Sequence, residues 1–484
     1  MLGKEGETMK TAYRYVGTQL LFAACVLCFL TILYLTDNKY YNTGPLPQNG
    51  TLHLTEESLE ESPIFLIDEW RIWDGTDRSE EAYAEGTRTW IGEFSNYRRY
   101  NDLKRSPYGS CTYRLQIAYT GEPQILALYF PQLCQTYELY WGDTLLAKGE
   151  ASAYEMVQVT PGTHSITLCI TSESGYYAGM YFPGAIGNTE TIGRMLDRKN
   201  TIYEACAWIP LVLAAFCFSL WVGSKDQKRK YLAFLSICFT GSLSHHYLQI
   251  SENSFSTYRF LLSDIALYGM FYFAIALLLE AIDEGKRKGK KILAYISIFV
   301  SVIEILLYLA APLWHDAITL HGVIQNGYRV YLFVCLVGIA MLTNKKENMS
   351  RCILYCESAL GMGILVNLFT SNLFEPIYGL WQFEWCSVCM VLLFAVYMER
   401  ENRRLLLENQ KYQEHLEELV DERTTQLTGV LEERRAFFSD MAHDLKAPLS
   451  SIKAFMSMIR SQKIGMDNEL EMYLEQVDVQ LKEI

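Results

Sequence analysis

The chain has 484 residues, of which half are hydrophobic and only 20% are charged, and its mean hydropathy is +0.05. This composition excludes a disordered chain and argues against a wholly soluble enzyme, and the length exceeds that of one ordinary domain. The formal net charge of -13 argues against a nucleic-acid-binding protein.

The first apolar run is Val16–Leu35, and three basic residues precede it. About 20 apolar residues are enough for a helix to cross a bilayer. The run lacks the small-residue cleavage pattern of a secretory signal and is long for one. We therefore predict a cytoplasmic N-terminus over residues 1–15 and an uncleaved signal anchor over residues 16–35.

Residues 37–201 are predicted to form an extracellular, all-β sensing domain with a jelly-roll-like sandwich. Short alternating segments recur here, and turn residues such as Gly121, Pro123 and Gly142 separate them, which is typical of a β-sandwich. The predicted strands are Thr112–Tyr119, Gln124–Phe130, Thr136–Trp141, Ala153–Thr160 and His164–Ile170. The aromatic residues expected to pack on the same sandwich are Trp70, Trp73, Trp90, Tyr97 and Tyr100.

Of the 13 cysteines, only Cys111, Cys134 and Cys169 lie outside the apolar runs. Three thiols allow one disulfide at most, which excludes a disulfide-stapled scaffold and leaves open whether any pair forms. Two CxxC pairs lie in apolar runs without further ligand residues, so we predict packing roles and no metal site. These pairs are Cys25/Cys28 and Cys386/Cys389.

Residues 202–398 are predicted to contain seven further membrane-spanning helices. The apolar runs are Ile202–Val222, Tyr231–Gln249, Tyr258–Ile282, Ile292–Ala311, Gly322–Thr343, Cys352–Thr370 and Ile377–Met398. The second is the weakest, because it contains three serines, His245 and His246. Twelve Lys and Arg residues follow the first, third and fifth runs, whereas the other short loops hold essentially Arg259. The positive-inside rule then gives eight spans in total, a multi-pass protein of the plasma membrane with both termini in the cytoplasm.

Several polar residues lie in or beside these spans, where a charged group costs about 2.5–3.5 kcal/mol on insertion scales. They are Asp264, Glu280, Glu304, Asn326, Glu357, Asn367 and Glu384. Such residues indicate either a ligand pocket, a proton relay or a transport path, or else hydrogen bonds between helices. Glu304 and Glu357 are nearest to mid-span, whereas Glu280 lies near a boundary.

Residues 399–435 are rich in Glu, Arg, Leu and Gln, and their apolar residues follow a heptad pattern. The apolar positions are Leu406, Leu416, Val420, Leu427, Val430 and Phe437. The same seam is interrupted by Asn409, Gln413, Arg423 and Arg434. Polar seam residues fix register and oligomer state in coiled coils. We predict a parallel dimeric signalling helix in preference to a solvated linker helix.

Residues 436–484 begin with a motif that carries chemistry. It reads His443-Asp444-Leu445-Lys446-Ala447-Pro448-Leu449. This segment closely resembles the H-box of sensor histidine kinases, in the HisKA dimerisation and phosphoacceptor domain. The resemblance implies that His443 is the phosphoacceptor and Asp444 its acid/base neighbour, supported by Lys446 and Pro448. It also implies a homodimer, a response regulator as partner, and ATP with Mg²⁺ as cofactor.

Chemistry explains these residue types. Imidazole attacks the γ-phosphorus of ATP only through a neutral nitrogen, and an adjacent carboxylate such as Asp444 can orient the ring or take up its proton. Lys446 offers a point charge, and Pro448 removes a backbone N–H and bends the helix. Many relatives carry Thr or Asn where this chain has Ala447, so we expect phosphatase activity toward the response regulator to be impaired.

The strand pattern around Tyr113, Leu128 and Tyr140, followed by seven spans, resembles the seven-transmembrane receptors with diverse intracellular signalling modules. The resemblance covers roughly residues 60–400. It implies a galactose-binding-type jelly roll outside the cell and small ligands such as carbohydrates.

The hairpin after His443 is expected to be incomplete: the helix ends at Arg460, a turn follows over Ser461–Asn468, and a second helix begins at Glu469. No ATP-binding motif follows, so we expect the ATP-binding domain to be missing or supplied in trans, and this chain alone to be inactive. The predicted function is a membrane sensor histidine kinase of a two-component system. The alternatives are a non-catalytic receptor that modulates intact kinases and a transporter with a vestigial tail.

Overall fold

The structure, a computed structural model, describes most of the chain. The described residues are 2–41, 44–91, 109–131, 133, 136–150, 152–172, 179–246, 257–282, 287–311, 313–314, 316–343, 351–370, 373–461 and 468–483. They form two compact units, Met1–Glu399 and Arg400–Ile484. The first unit contains a β-rich region and long apolar helices, and the second is helical.

The helices of the described residues are numbered α1 to α11 in chain order. They are Leu2–Thr36, Glu56–Glu61, Glu80–Glu85, Thr189–Ser224, Gln227–Ser242, Thr257–Ile282, Arg287–Ala310, Ala317–Thr343, Arg351–Thr370, Gln382–Ser461 and Asn468–Glu483. The strands are numbered β1 to β11. They are Thr51–Leu54, Ile64–Leu66, Trp70–Asp74, Thr87–Thr89, Gly109–Tyr119, Gln124–Phe130, Thr136–Trp141, Thr144–Gly149, Ala153–Val159, Gly162–Ser172 and Gly184–Asn188.

Two sheets build the β-rich region. One has the order β4-β3-β5-β10-β7-β8 with β1 parallel to β5, and the other has the order β2-β11-β6-β9. Alternate residues of β5 and β10 face a shared core, where Leu115 pairs with Ile166 and Tyr113 with Leu168. The five strands predicted from alternation are confirmed, and β8, β11 and the four strands before β5 are additional. The region is not purely β, because α2 and α3 each add six residues of helix.

The predicted packing of aromatic residues holds where the structure describes them. Trp70 is fully buried, meets the Phe130 ring edge-on at 6.4 Å between centroids and donates its indole N–H to the Leu66 carbonyl. Trp73 is also buried, and Trp90 packs on Tyr40. Tyr97 and Tyr100 lie outside the described residues.

The register of β5 and β10 shows whether Cys111 and Cys169 can form a disulfide. Cys111 is paired with Ile170 across β5 and β10, whereas Cys169 is paired with Thr112. Paired residues share a face of the sheet and neighbouring residues point to opposite faces. Cys111 therefore points to the face opposite Cys169, which receives the Thr112 hydroxyl at 3.5 Å. These two thiols cannot form a disulfide, and Cys134 lies outside the described residues.

Among the described residues, seven helices are long and apolar enough to cross a membrane, which indicates membrane association. They are Val16–Thr36, Thr189–Ser224, Phe260–Glu280, Lys291–Ala310, Leu320–Met341, Cys352–Thr370 and the helix Gln382–Ser461, α10. The weakest predicted run, Tyr231–Gln249, is not among them. Its helix α5 has 16 residues and is about 24 Å long, short of the ~30 Å hydrocarbon core. Residues 247–249 lie outside the described part.

Helix α1 packs on α9 and on the start of α10. Phe22 stacks on Tyr355 with ring centroids 4.6 Å apart, and Gln382 donates to the Leu30 carbonyl. Gln19 donates to the Glu357 carboxylate at 3.3 Å. Glu357, one of the polar residues noted within the spans, thus takes part in a hydrogen bond between helices.

A junction of polar and aromatic groups joins the β-rich region to the segment that precedes α10. The outer face of the smaller sheet contributes Phe65 and Ala185 to an apolar cluster with Met195 of α4 and Ile377. Beside it, Lys39 forms a buried ion pair with Glu375, and Asp37 accepts hydrogen bonds from the backbone of residues 378 and 379. The sheet, the end of α1 and the entry to α10 therefore form one packed region.

Candidate phosphoacceptor site

The local sequence explains why α10 is helical around the site. The part of α10 from Arg400 to Ser461 has a single glycine, Gly429, and one proline, Pro448, and is rich in strong helix formers. Pairs three and four residues apart add support, because Arg404 contacts Glu401 at 3.5 Å and Glu408 at 3.6 Å. The helix ends at Ser461, and residues 462–467 of the predicted turn lie outside the described part.

His443 and Asp444 are adjacent on this helix, and both side chains are almost fully exposed, at 89% and 86%. The His443 Nδ1 lies 3.7 Å from Asp444 Oδ1, a distance that suits an ion pair but is too long for a hydrogen bond. A small side-chain rotation would bring the two within hydrogen-bond range. The His443 imidazole is therefore accessible to a reaction partner, and the Asp444 carboxylate lies close to it.

The two supporting residues also lie on this exposed stretch. Lys446 and Pro448 are exposed, and Pro448 lies within a helix that continues to Ser461. Because proline has no N–H, the carbonyl of Asp444 receives no helical hydrogen bond from residue 448. The helix is therefore weakened one turn beyond the histidine.

An apolar stripe runs along the opposite side of α10. Phe437, Met441, Leu445 and Ile452 are spaced by four, four and seven residues, and all are exposed. At about 100° per residue, His443 lies roughly 160–180° from the middle of this stripe. A helix that packed on the stripe would leave the imidazole facing outward.

The second helix of the unit, α11, is tied to α10 near its end. Arg460 lies 3.8 Å from Asp478, which also contacts Lys482. The predicted second helix from Glu469 is thus present, beginning at Asn468. Val477 and Leu470 of α11 are exposed as well.

His443 does not lie in a cleft. At this exposure, no concave surface among the described residues surrounds the imidazole that could hold a nucleotide. In the same part of the chain, no group of three or more His, Cys, Asp and Glu residues is arranged to hold a metal ion. The described geometry at His443 is therefore an exposed imidazole with the Asp444 carboxylate 3.7 Å away.

Two groups of polar residues were missed by sequence reasoning. Lys39 and Glu375 lie just outside apolar runs, where a charge is ordinary, and nothing in the sequence pairs them. His321 joins Asp264 and Glu304, of which only the two acids were noted in the sequence. The one available signal was a histidine at the start of an apolar run.

Residues 433–484 match the family HisKA, His Kinase A (phospho-acceptor) domain. The match supports a histidine kinase phosphoacceptor role for this segment, and it includes His443. Domains of this family generally form dimers and signal to response regulators. No curated protein matches the chain.

Several solved glycoside hydrolases resemble about a quarter of the chain. A GH2 β-galacturonidase from Eisenbergiella tayi bound to galacturonate has 11% identity over 26% of this chain and 24% of that chain, with a TM-score of 0.21. A Faecalibacterium prausnitzii β-glucuronidase has 16% identity over 26% and 31%, with a TM-score of 0.21. A Dictyoglomus thermophilum β-D-mannosidase has 8% identity over 26% and 22%, with a TM-score of 0.20. The chain thus spans about a quarter to a third of these enzymes, and at such scores the likeness does not extend to their substrates or activities.

Proposed function

We propose that the chain is a membrane sensor histidine kinase of a two-component system, phosphorylated on His443. The observation that carries the proposal is the HisKA match over residues 433–484, in which His443 is exposed on a helix with Asp444 beside it. The seven apolar helices, of which Val16–Thr36 is the anchor, support a membrane protein. In this proposal the run Tyr231–Gln249 is the further span that completes a receptor of the seven-transmembrane type.

The reaction uses the chain's own residues as nucleophile and base. A neutral ring nitrogen of His443 attacks the γ-phosphorus of ATP, so that an N–P bond forms and the bond to the ADP oxygen breaks. Asp444 receives the hydrogen bond or proton of the other ring nitrogen. ATP and Mg²⁺ are held by an ATP-binding domain, as in the family, and the phosphoryl group then passes to a response regulator.

A parallel homodimer accounts for the exposed apolar residues of the second unit. Leu416, Val420, Leu427 and Val430 are all exposed in the single chain. Their 3-and-4 spacing is that of a coiled-coil seam, and a second copy would cover them. The stripe of α10 opposite His443 continues this buried face while the imidazole stays accessible.

The signal enters through the β-rich region, which is extracellular in this proposal and takes a small ligand such as a carbohydrate. The apolar cluster of Phe65, Ala185, Met195 and Ile377 lies directly before α10. Since α10 begins at Gln382 and contains His443, a shift, rotation or change of register at its start reaches the phosphoacceptor segment. Pro448 weakens the helix just beyond His443 and so favours two alternative packings.

The chain also departs from the common H-box motif at Ala447, and this difference affects phosphatase activity toward the response regulator. Ala447 has no polar side chain to orient a water molecule. The kinase reaction does not need that water, whereas dephosphorylation of a response regulator does. The proposed activity is therefore kinase and phosphotransfer without efficient phosphatase activity.

The test is phosphorylation in trans. The full chain in nanodiscs is incubated with labelled ATP, Mg²⁺ and the soluble ATP-binding domain of an intact histidine kinase, and a reaction without that domain gives the labelling that the chain supports by itself. We expect an acid-labile, alkali-stable label on the wild type and none on His443→Gln.

His415→Gln is the matched control, because His415 is also an exposed histidine of α10. It should keep the label at the wild-type level. Equal labelling of His443→Gln and wild type would refute the assignment of the acceptor. A wild type that is labelled but never passes the phosphoryl group to any response regulator would instead indicate a modulator of intact kinases.

A further inference from the structure

Three helices of the apolar bundle bring a histidine and two acids together. Asp264 lies near the start of α6, Glu304 in the last two turns of α7, and His321 near the start of α8. Since α7 runs opposite to its neighbours, these positions lie at the same end of the three helices. Glu304 and His321 are almost fully buried, with 1% and 6% of their side chains exposed.

Both nitrogens of the His321 ring face a carboxylate. Nδ1 is hydrogen-bonded to Oε2 of Glu304, and Nε2 lies 3.6 Å from Oδ2 of Asp264. The Tyr308 hydroxyl donates a hydrogen bond to the same Asp264 oxygen, and its ring meets the imidazole edge-on with centroids 5.0 Å apart. His321 therefore bridges α6 and α7.

This arrangement requires protons. Each contact between a ring nitrogen and a carboxylate oxygen is attractive only if a proton lies between them, on the nitrogen or on the oxygen. Two protons are thus needed for the two contacts. If one is lost, a nitrogen lone pair faces a carboxylate in a buried place, and the contact becomes repulsive.

The charges of the surrounding groups also favour a state in which both contacts of the His321 ring contain a proton. The charged and titratable groups that face the cluster are Asp264 and Tyr268 of α6, Glu304 and Tyr308 of α7, and His321 and Arg329 of α8. With both acids ionised and His321 protonated, the three residues carry one net negative charge, which the charge of Arg329 offsets. Removal of one proton leaves a net negative charge in the bundle, which is costly without water or a cation.

The cluster is only partly satisfied in its present form. Oε1 of Glu304 and the hydroxyl of Tyr268 are buried and lack a well-formed hydrogen bond in the described structure, and Tyr268 and Glu304 act on each other. An apolar group beside it, Leu307, Ala311 and Ala317, restricts access of water. The Asp264 side chain is 19% exposed, whereas a change of charge on the buried Glu304 or His321 cannot be compensated by solvent without movement of the helices.

We propose that Asp264, Glu304 and His321 form a proton-binding site, and that its occupancy sets how α6, α7 and α8 pack at this end of the bundle. The protonated site holds the three helix ends together, and the deprotonated site separates them and admits water. In the topology predicted from the basic loops this end faces outside, so the site responds to external acidity. This proposal is independent of the assignment of His443 as the phosphoacceptor.

The experiment titrates the full chain in nanodiscs between about pH 5 and 9, without ATP. Ring ¹⁵N NMR of histidine-labelled protein follows protonation, and the difference from His321→Gln identifies the His321 signals. We expect a one-proton transition of His321 that is shifted in Glu304→Gln and unchanged in the exposed control His415→Gln.

Hydrogen exchange over residues 303–324, corrected for the intrinsic effect of pH, follows the packing. We expect protection to fall on the alkaline side of the same transition in the wild type, and this step to vanish in Glu304→Gln. The NMR titration and the hydrogen exchange of the wild type can contradict the proposal by themselves. The test therefore remains decisive even if a variant does not fold. Either a His321 signal that is constant over the range or a titration that leaves exchange unchanged would show that the cluster is a static contact between helices.

Discussion

Replacing Lys39 by Met should strongly destabilise the junction before α10, because the lysine is the main partner of a buried acid. The side chains of Lys39 and Glu375 are 3% and 5% exposed. Backbone and amide hydrogen bonds hold both residues in place: the Lys39 N–H donates to the Glu375 carbonyl at 2.9 Å, and Asn38 accepts from the Glu375 N–H at 3.2 Å. The carboxylate cannot turn to solvent when its partner is removed.

The magnitude follows from the burial of the remaining charge. Breaking a buried ion pair by removing one partner costs about 3–5 kcal/mol, since an uncompensated charge stays behind. Oε2 of Glu375 already has no hydrogen-bond partner in the described structure. The charge of Lys199 also acts on Glu375 and offsets part of the loss. We therefore expect about 3 kcal/mol, the lower end of the range.

The loss of stability caused by Lys39→Met should become smaller as the pH falls. Burial raises the pKa of Glu375, and the charges of Lys39 and Lys199 oppose that rise. Loss of Lys39 raises the pKa of Glu375 further. A carboxyl whose pKa is higher in the folded state costs nothing below its unfolded pKa and its full penalty above the folded one. The variant should thus approach wild-type stability as the pH falls through the Glu375 pKa.

The assay is thermal unfolding of the full chain in nanodiscs, followed by tryptophan fluorescence at neutral and at acidic pH. Lys148→Met is the matched control, because the Lys148–Glu138 pair at 2.8 Å is largely exposed and such pairs contribute about 0–1 kcal/mol. The double variant Lys39→Met/Glu375→Leu should recover most of the loss. Lys39→Met with wild-type stability at neutral pH, or with a deficit that grows on acidification, would refute the reasoning.

Three further predictions concern topology, assembly and chemistry. Reporters inserted at each basic loop should signal the cytoplasmic side, and an outside signal at any one would contradict the eight-span topology; these loops are 225–230, 286–291 and 345–351. Oxidation of membranes that contain Val430→Cys should cross-link two copies, whereas Glu432→Cys, on the far side of the seam, should not; equal yields would argue against the coiled coil. In the trans reaction Asp444→Asn should slow labelling of His443 by about 10²–10⁴-fold, and an unchanged rate would remove its acid/base role.

The sequence by itself determined the features that local patterns encode. Alternation predicted strands such as Gln124–Phe130 and Thr136–Trp141 with the same ends as in the structure. Apolar length predicted the seven long helices, and residue types at fixed spacing predicted the HisKA-like segment that contains His443. These signals succeed because side-chain direction in a strand or helix repeats over a few residues.

The sequence is most ambiguous where a run of marginal hydropathy is weighed against the distribution of basic loops. The run Tyr231–Gln249 was taken as a span because it preserved the alternation of basic loops. In the structure its helix α5 has only 16 residues. Of the polar residues that made the run weak, Ser236 is buried within α5, whereas Ser242, Ser244, His245 and His246 lie at or beyond its end. Hydropathy and charge bias measure different properties of the chain, and this span stays a prediction, because residues 247–249 of the run lie outside the described part.

Only the tertiary structure decided which distant residues meet. The register of β5 and β10 set Cys111 and Cys169 on opposite faces, which spacing in the chain could not show. Lys39 and Glu375 are 336 residues apart, and they are joined because the end of α1 and the entry to α10 pack at the same place. Residues so far apart share no local pattern, and their contact follows only from the free energy of the whole packing, which places a buried charge beside the partner that offsets it.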